Sequence, residues 1–152
     1  MSSNNEIFVS FKPQNDHFVG FVSIEVASNN VLDPENLVKH CTKIYNQSIA
    51  KMRQKFDEIN SYKNINKPIP ARKVWELGNL IFKMQNRFQN ENVSLDGVYD
   101  HLERDLNVRR KWLVKVIILR RYIPNSTIIP ISTSWGYFDK STRKKALELT
   151  KE

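Results

Sequence analysis

The chain has 152 residues, with 24 Lys and Arg against 16 Asp and Glu, a formal charge of +8. Its 40% hydrophobic content, 4 Gly and 6 Pro suit one ordinary globular domain and exclude a disordered chain. One cysteine and three histidines cannot build a disulfide or a Cys/His zinc set, and the scattered glycines form no phosphate-cradling loop, so no metal or cofactor is expected.

The first residues, MSSNNEIFVSF, contain neither a basic leader nor an apolar stretch of signal type. Phe8–Phe11 and Phe18–Val26 alternate in strand fashion around the turn-rich segment Lys12–His17, and predict a β-hairpin. Two strands alone are unstable in water, so a helix or a second copy must cover the hairpin's apolar face.

Asp33-Pro34-Glu35 is a helix start, with a capping side chain, a proline whose missing N–H costs nothing, and an acid at the positive helix end. The helix is expected to run to Asn60 or Tyr62. Val38, Thr42, Tyr45, Ile49, Met52, Phe56 and Ile59 recur at alternating spacings of four and three, a heptad seam. Such a seam packs inside a domain or joins two chains; Tyr45, Ile49, Met52, Phe56 and Ile59 are the candidate dimerisation residues.

Lys63 to Pro70 is a polar, proline-bounded connector. A second helix from Pro70 shows Val74, Leu77, Ile81, Met84 and Phe88 at helical spacing and ends at Gln89–Asn92. Ser94 is read as the cap of a third helix over Leu95–Leu106, Asn107-Val108 as a tight turn, and Arg109–Tyr122 as a fourth helix stopped by Pro124. Trp135 to Leu149 reads as one last helix.

These elements predict an α+β fold, mainly α: an N-terminal β-hairpin and long helix over 1–62, a connector over 63–70, and a helix-turn-helix domain over 71–152. Leu102, Leu106 and Val108 would line the first helix and turn of that motif, Leu113 and Val116 the second helix. Asn107 stands where a left-handed residue is wanted, and Glu103 where a small residue is usual.

Charge is unevenly distributed. Residues 1–36 sum to −4 and the remainder to +12, and no acid interrupts Arg109 to Arg121. Such a field attracts polyanions. Arg109, Arg110, Lys111 and Lys115 lie where a helix entering the major groove meets bases and phosphates, and Arg143, Lys144 and Lys145 form a second cluster for phosphates. Arg120 and Arg121 suit the negative end of their helix, a structural role. Trp75, Trp112, Trp135 and Tyr137 sit at or beside apolar helical positions and are read as core residues. Asp100, His101 and Glu103 would point in different directions on a helix, which disfavours an acid–base site.

Residues 70–149 resemble the helical N-terminal domain that precedes a PD-(D/E)XK nuclease module in YhcG-like bacterial proteins. The resemblance rests on Val74-Trp75-Glu76-Leu77-Gly78-Asn79-Leu80-Ile81, on Leu102–Arg121 and on Ser134-Trp135-Gly136-Tyr137. It implies DNA binding here and cleavage by another module. No Asp or Glu of this chain has Lys two positions later, so nuclease activity is not carried over.

The expectation is a non-catalytic double-stranded DNA-binding protein, a homodimer, cytoplasmic and nucleoid-associated, in a regulatory, maintenance or packaging role. The alternative is an interaction subunit that binds RNA or an acidic protein, beside a separate nuclease. No apolar run approaches the ~20 residues of a membrane span, so no membrane partner is expected.

Overall fold

The computed structural model describes residues 7–11, 21–26, 34–91 and 93–151. The predicted hairpin turn at Lys12–His17 and the cap Asp33 lie outside them.

The expected α+β class is overturned: the chain is mainly helical, with six α-helices among the described residues. These are α1 (Pro34–Asn64), α2 (Ala71–Asn90), α3 (Val98–Leu106), α4 (Arg110–Tyr122), α5 (Trp135–Asp139) and α6 (Thr142–Thr150). Among the described residues, strand backbone is confined to β1 (Ile7–Phe11), β2 (Phe21–Val26) and β3 (Val93–Asp96), in the order β2-β1-β3. β1 runs antiparallel to β2 and parallel to β3, with Ile7 opposite Val26 and Val93. Val93 is the strand residue in the described core; the other core side chains lie on the helices and their connectors. The described core is thus supplied by apolar residues at helical spacing.

Three boundaries differ from expectation. First, α1 reaches Asn64 and ends in a tight cap. Asn66 turns left-handed at φ 56°, and the Asn66 and Lys67 amides donate to the Lys63 and Tyr62 carbonyls at 3.1 and 2.9 Å. Second, the segment read as a Ser94-capped helix is β3, and α3 begins only after Gly97, whose φ of 71° makes the turn from strand to helix. Third, the last helix is two. Thr142 Oγ1 donates to the Phe138 carbonyl at 2.9 Å, satisfying a carbonyl where α5 stops and α6 starts.

The chain forms two compact units: Met1–Ala50 with Lys83–Asn107, and Lys51–Phe82 with Val108–Glu152. The first has a core of Cys41, Ile44, Tyr45, Ile49, Met84, Phe88, Val98, Leu102 and Leu106. Within it the Tyr45 hydroxyl donates to Asp105 at 2.7 Å, and His40 meets Glu91 at 2.7 Å. Burial, followed by the Coulombic effect of Glu91, pushes the Cys41 thiol up to about 12, an inert small apolar residue.

The second unit is where α4 is set. Val74, Leu77, Ile81, Leu113, Val116, Leu119, Trp135 and Phe138 are buried there. Ala71 N–H donates to the Thr133 carbonyl at 3.0 Å and Trp135 N–H to the Ile69 carbonyl at 2.7 Å, pinning the 65–70 connector to the start of α5. Lys55 and Lys73 form a carboxylate network with Glu58 and Glu76. Hydrogen bonds from Lys73 and Lys55 hold the Glu58 carboxyl below its ordinary range.

Candidate nucleic-acid interface

α4 has one buried stripe, Leu113, Val116 and Leu119, and is fixed along it. α2 comes so close that Gly78 leaves no room for a side chain: a Cβ there would stand 2.8 Å from the Val116 carbonyl oxygen. Trp75 Nε1 donates to the Ile123 carbonyl at 2.6 Å, holding the C-terminal end. Trp112 packs edge-on against Phe56 and Trp135, with centroids at 5.7 and 6.4 Å. The direction of the opposite face is thereby set.

Arg120 belongs to the packed side. Its Nε donates to Asn79 at 2.8 Å, and its guanidinium lies 5.3 Å from the Trp75 ring and 3.9 Å from the Phe82 ring. Burial lowers its pKa. Its role is structural, while Arg121, grouped with it in the sequence, is exposed.

All seven expected DNA-contacting residues fall in the second unit. Arg109, Arg110, Lys111, Arg143 and Lys144 are exposed; Lys115 and Lys145 are half-buried. Arg109 is extended before the helix, and its carbonyl accepts the Leu113 N–H at 3.0 Å. No side chain caps α4 and its first turn holds no acid, so three cations gather at the positive end of the helix. Each costs roughly 0.3–1 kcal/mol against the macrodipole, which a bound polyanion would offset. Lys115 is already engaged, 2.8 Å from Asp139.

α6 packs on α4. Arg143 lies over the Tyr122 ring at 5.6 Å, near the C-terminal end of α4, and Lys145 over the Tyr137 ring at 4.6 Å. Tyr137 is 43% exposed, which corrects its reading as core; Trp75 and Trp135 are buried as expected, and Trp112 is half-buried. Of the outward positions of α4, Arg110 and Lys111 were singled out from sequence and Val114 and Ile118 were not. They are legible there as the residues opposite Leu113, Val116 and Leu119 on a 3.6-residue helix.

Asn107 adopts the left-handed conformation expected of the turn, φ 55° and ψ 51°. The two helices of the expected motif divide between the units, α3 in the first and α4 in the second. Of the seam residues, Tyr45, Ile49, Met52 and Ile59 are buried within a single copy of the chain, and Phe56 is half-buried against Trp112. His101 is buried; burial, then Arg104, pushes its pKa down to about 4. Asp100 and Glu103 are exposed and half-exposed. Among the described residues no group of three or more His, Cys, Asp or Glu converges as a metal site, and no helix is long and apolar enough to cross a membrane.

No protein-family model matches the chain, and no match is found among curated proteins or solved structures.

Proposed function

We propose that the second unit binds double-stranded DNA through the outward face of α4 and the start of α6, without catalysis of its own. The observation that carries this reading is the segregation of charge by unit. The second unit holds 18 Lys and Arg against 6 Asp and Glu, a formal +12; the first holds 6 against 10, a formal −4. A field so divided within one small chain attracts a polyanion to one part of it.

Geometry adds to this. Arg110 and Lys111 stand at one end of α4, and Arg121 with Arg143 at the other. Ten residues of helix separate Lys111 from Arg121, ~15 Å along the axis. A major groove ~12 Å wide fits between those two cation groups, so both bordering phosphate rows are within reach. The order α3, left-handed Asn107, α4 is that of a helix-turn-helix, and the resemblance of residues 70–149 to a DNA-binding helical domain points the same way. A dimer through α1 is not part of this reading, because one chain already buries most of that seam.

The test is fluorescence anisotropy on a random-sequence duplex between 50 and 200 mM salt. If the six exposed cations Arg109, Arg110, Lys111, Arg121, Arg143 and Lys144 each meet a phosphate, affinity falls roughly 2,000-fold over that range. A variant with Arg109, Arg110 and Lys111 all replaced by alanine, its folding checked by circular dichroism, should lose only about 40-fold. Equal slopes, or no duplex binding by the wild type, would refute the proposal. Stronger binding to RNA would move the interface to that partner.

A further inference from the structure

Resting on the DNA-binding reading, we infer that Tyr137, at the corner of α5 and α6, stacks on an unpaired base beside the duplex. The nucleic acid that the second unit holds best is then a duplex with a single-stranded extension. α5 turns Trp135 and Phe138 inward, where both are buried, and leaves Gly136 and Tyr137 exposed. The buried Phe138 ring abuts Tyr137 edge-on at 5.1 Å and steadies it. Beside the ring the backbone is bare. A Cβ on Gly136 would meet Ser134 Oγ at 3.6 Å, an ordinary contact, so a flat base has room to approach.

The charges around the ring suit a nucleotide. Lys140, Arg143, Lys144 and Lys145 follow Tyr137 closely, with no acid among residues 140–145. Lys140 continues the helical backbone of α5 as its C-cap and lies three positions on from Tyr137, on the same side. Lys145 Nζ stands 4.6 Å from the ring centroid. An ammonium over an exposed ring is held weakly, on a flexible stem, and a phosphate is a stronger partner for it. A nucleotide joins its base and phosphate through one sugar. A base that takes the ring therefore brings its own phosphate within reach of the ammonium it displaces. Stacking of this kind is tolerant of base identity, because every base has a π-face.

The corner also lies beside the helix assigned to the duplex. Lys115, in the middle of α4, meets Asp139 at the end of α5 at 2.8 Å, and Arg143 lies over the Tyr122 ring. A strand leaving the end of a duplex held on α4 passes close to Tyr137.

Abasic nucleotides isolate the contact, because they keep the phosphates and lack only the bases. Fluorescence anisotropy at one fixed salt concentration compares the full chain on a blunt duplex, on the same duplex with a short thymidine extension, and on one whose extension is abasic. Each stacked base should strengthen binding about 5- to 150-fold over the abasic extension. Tyr137→Phe should keep this preference, and Tyr137→Ala should lose it with blunt-duplex affinity unchanged. In the wild-type complex, 5-iodouracil in the extension should photo-crosslink to Tyr137, located by peptide mass spectrometry. Equal wild-type affinity for thymidine and abasic extensions would overturn this inference and leave the DNA-binding reading standing. A preference that survives in Tyr137→Ala, or a crosslink only to other residues, would overturn the assignment to Tyr137. Tight binding of the extension alone without any binding of the blunt duplex would overturn the duplex reading and leave the stacking site. Absence of binding to every one of these DNAs would overturn both.

Discussion

Replacing Gly78 with alanine sets two effects of opposite sign against each other. Gly78 lies within α2, where helix propensity alone makes alanine better by roughly 0.5–1 kcal/mol. The added methyl, however, would meet the Val116 carbonyl oxygen at 2.8 Å and Arg120 Cβ at 3.0 Å. Ordinary contacts between carbon atoms lie near ~3.5 Å, and the nearer neighbour is backbone, which cannot swing away. α2 and α4 must therefore separate, and overpacking of this kind costs roughly 1–3 kcal/mol. The net effect is a loss of about 1 kcal/mol, seen as a fall in Tm of roughly 2–4 °C for a chain of this length. Urea and thermal denaturation followed by circular dichroism measure it. A Gly78→Ala protein as stable as the wild type, or more so, would show that the close approach of α4 to α2 is not as described. Gly78→Val should be worse still, and both should weaken DNA binding by displacing the helix that presents Arg110 and Lys111.

Other predictions follow from the same geometry. The lowered His101 pKa makes the unfolded chain the better proton acceptor between pH 4 and 6.5, so its contribution to stability is fully present above pH 6.5 and lost as pH falls toward 4. Between pH 7 and pH 5 this amounts to about 2 kcal/mol, and His101→Gln should flatten that part of the urea-denaturation profile; an unchanged slope would assign the dependence elsewhere. Trp75→Phe leaves the Ile123 carbonyl without its 2.6 Å donor. It should cost about 1–3 kcal/mol by denaturant titration. Asp139→Asn removes the partner that holds Lys115 at 2.8 Å. Duplex affinity should then rise at low salt and the salt slope steepen by ~0.9, unless Lys115 points away from the groove.

Much of the helical skeleton was legible because its signals are local. The periodic apolar residues of α1 and α2, the proline-bounded connector and the left-handed Asn107 all follow from residue type and spacing. The signal failed where a local preference had a tertiary competitor. Ser94 is a good helix cap, yet its segment pairs as β3 with β1, a partner more than eighty residues away in the chain, and Gly97 then makes the turn into α3. Trp135–Leu149 has the pattern of one helix, but the Thr142 hydroxyl and Ser141 end α5 and begin α6.

The candidate site divides in the same way. Composition and order alone determined that the chain is basic, that its cations cluster at Arg109–Lys111 and Arg143–Lys145, and that it lacks cysteine or histidine sets for metal. Only the tertiary structure decided which cations are exposed. Arg120 and Arg121 are neighbours of identical chemistry, but a helix turns by about 100° per residue, so one stacks on Trp75 and Phe82 while the other faces out. Likewise the α1 seam suited packing inside the domain first and a dimer second, and the rest of one chain was then seen to cover most of it. Periodicity specifies that a face will be buried; what buries it depends on contacts between residues far apart in sequence.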